Sequence, residues 1–252
     1  MRILFIGDVV GKIGRRMVRD HLLKLKKEHG AQIAIVNGEN AAHGKGITEK
    51  IYKELLGYGA DFITLGNHAF AKSDVYELLD RDINMIRPLN YPESAPGRGH
   101  KTININNKKL LIVNLQGRSF MPAIDCPFKA ADKVLEENEH DYAFVDFHSE
   151  TTSESLAMGY YLDGRVTAVV GTHTHVQTND EQILPGRTAY ITDVGMTGFK
   201  DGILGIRKEE VIERFLNQLP VRHDVPEEGK GILSGVIIDT DYKKIEKIRI
   251  TE

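Results

Sequence analysis

Three times within residues 1–80, a short apolar run stops at a polar cluster and gives way to a helical pattern. Ile3 to Ile6 leads into Gly7-Asp8-Val9-Val10-Gly11, and then Met17, Val18, Leu22 and Leu25 share one helical face between Gly14 and His29, with Gly30 as the stop. Ile33 to Val36 ends in Asn37-Gly38-Glu39-Asn40 and a glycine-bearing loop, before a helix capped by Thr48 and running through Leu56. Phe62 to Leu65 ends in Gly66-Asn67-His68, ahead of a short helix capped by Ser73 or Asp74. Strands separated by helices cannot pair as hairpins. The pattern predicts parallel strands with crossover connections, an α/β fold. The glycines at 7, 11 and 14 are spaced G-x3-G-x2-G, which is not the G-x-G-x-x-G of dinucleotide binding.

The rest of the chain is less regular. Residues 87–99 form a loop rich in Pro, Gly and Asn, and His100–Ile105 and Lys109–Asn114 flank Asn106-Asn107 as a β-hairpin. A helix over Phe128–Leu135 precedes a strand over Tyr142–Phe147 that ends at His148. A helix over Ser153–Tyr160 leads to the Val166–Val170 strand and to Gly171-Thr-His173-Thr-His175. Ala189–Ile191, a helix over Lys208–Leu219 and two paired strands, Ile232–Asp239 and Ile245–Ile250, complete the pattern. No repeat, low-complexity segment or linker divides it. With 252 residues, 41% of them hydrophobic, the chain reads as a single domain over 1–252.

A net charge of −3 gives no broad basic surface for nucleic acid. The one cysteine, Cys126, can form no internal disulfide and reads as incidental, which fits a reducing compartment. The first apolar run has four residues before Asp8, too short for a signal peptide or membrane span, so the expectation is a soluble, cytoplasmic protein.

Five strands end in groups able to bind a metal: Asp8, Glu39-Asn40, Asn67-His68, His148, and His173 with His175. Each has a bland reading alone. Asp8 could cap a helix, Glu39-Asn40 could close a turn, and Asn67 tolerates left-handed backbone. Five in succession point to one site, because ligands bind beyond the carboxyl ends of strands in such sheets. The set holds carboxylate, amide and imidazole but no thiolate, which suits Mn, Fe, Co, Ni or Zn.

These motifs, in this order, resemble those of calcineurin-like metallophosphoesterases. Phe5-Ile-Gly-Asp-Val-Val-Gly11, Asn37–Gly46, Arg87-Pro88, Asn114–Arg118, Asp146-Phe-His148, Thr151-Thr-Ser-Glu154 and Thr192–Gly198 resemble the YmdB-like subgroup. Two positions depart from the superfamily pattern and match the subgroup: Val10 stands where most members carry a histidine, and Glu39 where most carry an aspartate. Ala69-Phe70-Ala71 departs from the subgroup, where an aromatic and an acid are common at this point.

The resemblance implies a four-layer sandwich, two mixed β-sheets flanked by α-helices. It implies two divalent or trivalent transition-metal ions, Fe or Mn before Zn, about 3.5–4 Å apart. Glu39 would bridge them. Asp8, Asn40 and His175 would complete one site, and Asn67, His148 and His173 the other. A bridging hydroxide would attack the phosphorus of a cyclic nucleotide, 2′,3′-cyclic before others, with His68 as general acid. Two divalent ions less two carboxylates and a hydroxide leave one positive charge, which favours a phosphodiester anion. His43, Lys45 and Arg118 read equally well as substrate contacts or solvated surface residues; His21, His29, His100, His140 and His223 read as surface. A homo-oligomer stays open. So does a non-catalytic nucleotide- or RNA-binding regulator with a vestigial metal site. An amidohydrolase would place its His-x-His after an early strand, not beyond residue 170, and a purely structural protein has no use for so many polar strand ends.

Overall fold

The structure, a computed structural model, describes residues 1–81, 83–221 and 224–252; His223 lies outside them. In the first sheet β1 (Arg2–Ile6), β2 (Ile33–Asn37), β3 (Phe62–Thr64) and β4 (Met85–Ile86) run parallel in that order. On the other side of β1, the antiparallel β12 (Gly231–Asp239) pairs in turn with β11 (Gly198–Phe199) and β13 (Lys244–Thr251). In the second sheet β6 (Lys108–Gln116), β7 (Tyr142–His148), β8 (Ala168–Thr172) and β10 (Ala189–Ile191) are parallel, with β5 (His100–Ile105) and β9 (Gln182–Ile183) as antiparallel edges.

Side-chain alternation along the strands builds the layers. Ile3 and Phe5 point between the sheets, where they meet Ile112, Phe144 and Val170. Phe5 and Phe144 rings from opposite sheets lie 5.3 Å apart. Leu4 and Ile6 point outward, under α1 (Gly11–Glu28), α2 (Glu49–Gly57) and α3 (Val75–Leu79). Leu111, Val113, Val145 and Val169 cover the outer face of the second sheet, beneath α4 (Pro127–Glu137) and α5 (Thr152–Tyr161). The four-layer sandwich is therefore the one expected. A further helix, α6 (Lys208–Asn217), buries only Val211.

Several local expectations hold. The Thr48 hydroxyl accepts the Ile51 N–H at 3.3 Å, capping α2. Asn106 and Asn107 both take positive φ, 50° and 62°, as a tight hairpin turn requires. Others shift: α1 begins at Gly11, three residues early, and α6 stops at Asn217 because Gln218 turns left-handed at φ 59°. No helix among the described residues is long and apolar enough to cross a membrane.

Near the carboxyl ends of the strands the inter-sheet core turns polar. Fully buried Asp146 of β7 accepts hydrogen bonds from Thr64 Oγ1 at 2.5 Å and Asn37 Nδ2 at 3.0 Å, both in the first sheet. It also accepts one from Thr172 Oγ1 at 2.7 Å in its own sheet. One carboxylate thus ties the two sheets together directly under the five motif-bearing strand ends.

Candidate metal centre

All five motif-bearing strands bring their carboxyl ends to one edge of the sandwich. Asp8 follows β1, Glu39 and Asn40 follow β2, and Asn67 and His68 follow β3, while His148 closes β7 and His173 and His175 follow β8. The last two leave the strand path at positive φ, 109° and 64°. Such backbone is costly for a non-glycine residue and persists only where neighbours enforce it. Here Asp8 Oδ2 accepts the His173 N–H at 3.0 Å, and Asp193 Oδ2 accepts the Thr174 N–H at 2.9 Å and its hydroxyl at 2.8 Å. The distortion turns both imidazoles of the His-x-His into the cleft.

The outer nitrogen of each imidazole faces an acceptor. Thr172 commits its hydroxyl proton to Asp146, so its oxygen accepts from His148 Nδ1 at 2.8 Å. The Leu204 carbonyl accepts from His175 Nδ1 at 3.0 Å, and Glu150 Oε2 lies 2.9 Å from His173 Nε2. Each outer nitrogen therefore carries a hydrogen, which leaves a lone pair on the inner nitrogens His173 Nδ1 and His175 Nε2, and on His148 Nε2 once its second proton is displaced.

Those inner atoms crowd together. His148 Nε2 lies 3.2 Å from Glu39 Oε2, 2.9 Å from Asn67 Oδ1 and 3.0 Å from His173 Nδ1. Glu39, His148 and His173 offer ligand atoms all within 4.8 Å of one another. On the other side, Asn40 Nδ2 donates to Glu39 Oε1 at 2.9 Å and lies 3.1 Å from His175 Nε2. Buried Asp8 Oδ1 has no hydrogen-bond partner among the described residues. Convergent acceptors that outnumber the few donors among them, together with an orphaned buried carboxylate oxygen, call for cations, and these N/O groups fit transition metals. Gly66 keeps the space open: a Cβ there would stand 2.3 Å from Glu39 Oε2 and 2.5 Å from His148 Nε2.

The protonation equilibria say the same. Burial lowers the His148 pKa, but Glu39 and then Asp8 and Asp146 outweigh it and bring it up to about 9. Burial, reinforced by the neighbouring His148, pushes His173 down to about 3. Burial opposes ionisation of Glu39, yet His148 and His68 hold it well below the ordinary glutamate range, whereas burial raises Asp8. A proton on His148 partly serves the carboxylates that a metal would otherwise satisfy.

His68 approaches with one nitrogen: Nδ1 is 2.8 Å from Asn40 Oδ1 and 3.2 Å from Glu39 Oε1, and its backbone N–H donates to Glu39 Oε2 at 3.1 Å. Lys45 is exposed and lines the cleft. His43 points to Glu227 at 4.0 Å, and Arg118 lies outside the cleft, with Nη2 3.5 Å from Cys126 Sγ. Behind the candidate ligands stand Asp146, Thr172 and Asp193, which lie inside the quoted motifs without a role assigned to them, and Glu150 and Leu204, which lie outside them. Asp146 left a trace, being an acid at an inward position of an otherwise apolar strand.

Known proteins align with the whole chain. Residues 4–252 match the family model described as YmdB-like protein. A Bacillus subtilis (strain 168) protein named 2′,3′-cyclic-nucleotide 2′-phosphodiesterase is 54% identical over 259 residues, covering 100% of this chain and 98% of its own. A crystal structure from Thermus thermophilus, described as a hypothetical protein, superposes with a TM-score of 0.95 at 42% identity, covering 100% of both chains. A Mycoplasma pneumoniae structure described as a novel phosphatase gives 0.93 at 38%, covering 100% of this chain and 94% of the other.

Proposed function

Because this chain belongs to the YmdB-like family, we propose that it is a metal-dependent phosphodiesterase whose substrates are cyclic nucleotides, 2′,3′-cyclic nucleotides foremost. The observation that carries the reading is the convergence of Glu39, His148 and His173 ligand atoms within 4.8 Å of one another, beside a buried Asp8 oxygen without a hydrogen-bond partner among the described residues. The name of the Bacillus subtilis relative supports the substrate class.

Asp8, Asn40 and His175 with Glu39 Oε1 would hold one ion, and Asn67, His148 and His173 with Glu39 Oε2 the other. Ligation by Asn40 requires its amide to turn, so that Oδ1 rather than Nδ2 faces the centre. Transition-metal ions, when bound, would neutralise phosphoryl charge and acidify a water. The chain's own groups supply the rest. Glu150, Thr172 and the Leu204 carbonyl hold the imidazoles in the tautomers that present lone pairs. His68 directs Nδ1 at Glu39 Oε1, so Nε2 is the nitrogen from which the protonated ring would hand a proton to the leaving ribose oxygen.

The test is metal analysis of the purified protein alongside a Mn²⁺-supplemented assay on 2′,3′-cyclic AMP, 3′,5′-cyclic AMP and bis-p-nitrophenyl phosphate, with His173→Ala run in parallel. The expected result is about two metals per chain, in keeping with a two-metal site, and turnover abolished in the variant. Metal without diester turnover would move the substrate to another phosphate class. Neither metal nor turnover would leave a binding protein with a vestigial site.

A further inference from the structure

The cleft lined by Glu39, Asn40, His173 and His175, about 290 Å³ in volume, is also lined by four aliphatic side chains: Val10, Leu204, Ile206 and Val225. They do not belong to the three cores of the sandwich. Val10 forms a small separate cluster with Met196 and Ile232, and Val225 packs against it. Leu204 leaves 44% of its surface exposed at the mouth. Gripping a phosphoryl group requires none of this apolar surface.

The shelf is built, not incidental. Gly11 and Gly44 take positive φ, 59° and 85°, and a Cβ on either would stand 2.6 Å from a Val225 methyl. Only glycines let Val225 seat this deeply between them. Gly205, also at positive φ, rests on Val10, where a Cβ would come within 3.0 Å of Cγ1. Leu204 itself adopts φ 52°, and its carbonyl accepts from His175 Nδ1 at 3.0 Å. The shelf is thereby tied to a metal-binding imidazole, which sets its reach from the phosphoryl position.

Resting on the phosphodiesterase reading, we infer that Val10, Leu204, Ile206 and Val225 form the seat of the substrate's nucleobase and contact the ring by its face. Aliphatic side chains carry no donors or acceptors, so the seat cannot read a base edge. It discriminates by apolar contact area, purine before pyrimidine, with the two purines nearly equal.

The test compares 2′,3′-cyclic AMP with methyl riboside 2′,3′-cyclic phosphate, which lacks the base, on the Mn²⁺-loaded full-length protein. Three proteins are compared: wild type, Leu204→Asn, chosen because asparagine tolerates positive φ, and Val225→Thr. In wild type, KM for the base-free ester should exceed that for the nucleotide by at least about tenfold, the scale of burying a modest apolar area. In both variants the ratio should fall toward one, with thermal melts and metal content confirming folded, loaded protein. A wild-type ratio near one, or a ratio that survives both substitutions, overturns the seat while leaving the phosphodiesterase intact. Turnover of neither ester overturns the proposed activity instead. The seat is then decided by titrating the loaded proteins with adenosine 3′-monophosphate and ribose 3-phosphate: a nucleotide preference lost in the variants upholds it, and equal binding overturns it.

Discussion

His68 engages the centre through a single ring nitrogen, and that asymmetry has a kinetic signature. A general acid matters most where the departing oxygen is a poor leaving group, as a ribose hydroxyl is, and little for p-nitrophenolate. His68→Ala should slow 2′,3′-cyclic AMP turnover by about 10²–10⁴-fold and bis-p-nitrophenyl phosphate far less; equal losses on both would make His68 a stabilising contact and no proton donor. Of the eight residues singled out from the sequence, Glu39, Asn40, His68, His173 and His175 line the cleft, and Asp8, Asn67 and His148 lie in contact with them. They were legible because metal chemistry restricts the ligand types and strand ends restrict their places. Glu150, Asp193 and Leu204 were not legible. Glu150 acts on His173 and Asp193 on the Thr174 backbone, and Leu204 uses only its carbonyl, which every residue possesses.

At the scale of elements, β7 carries more than its histidine. Asp146, two residues before His148, receives three donors from three other strands, β2, β3 and β8. Asp146→Asn keeps the volume but turns an acceptor into a donor facing donors. It should cost about 1.5–3 kcal/mol in urea unfolding, the range for hydrogen bonds to charged groups. Thr172 would lose its anchor, so metal affinity should fall as well. Unchanged stability and metal content would show that Asp146 is replaceable. Most elements of both sheets could be read from the sequence because apolar runs of three or more residues leave a pattern. The two-residue strands β4, β9 and β11 could not, since two residues have no periodicity. The early start of α1 escaped notice because Gly11 and Lys12 look like loop.

At the scale of the whole molecule, the buried charges make stability depend on pH in a sense that metal should reverse. In the metal-free protein, burial raises Asp146 to about 6 and Asp193 to about 7, and the carboxylates around His148 bring it to about 9. Each of these groups binds its proton more tightly when folded. The His148 contribution is fully present below its unfolded pKa near 6.5 and is lost as pH rises through about 9. The chelator-treated protein should therefore melt at progressively lower temperature from about pH 6.5 to 9. The Mn²⁺-loaded protein should not, because the cation displaces those protons, so the metal-induced rise in Tm should widen across that window. Parallel profiles with and without metal would place the metal elsewhere.

The strand order has a temporal consequence. β1, which delivers Asp8, lies between β2, the next strand along the chain, and β12, which spans Gly231–Asp239. While the chain is being synthesised, Arg2–Ile6 can pair with β2 early, but its other side must wait until Gly231–Asp239 has left the ribosome. The strands that feed the candidate centre are all made by residue 175, yet the sheet beneath Asp8 closes only once β12 has emerged. A nascent chain thus carries every candidate donor well before it can hold them in place, and the proposed centre is assembled only after β12 arrives.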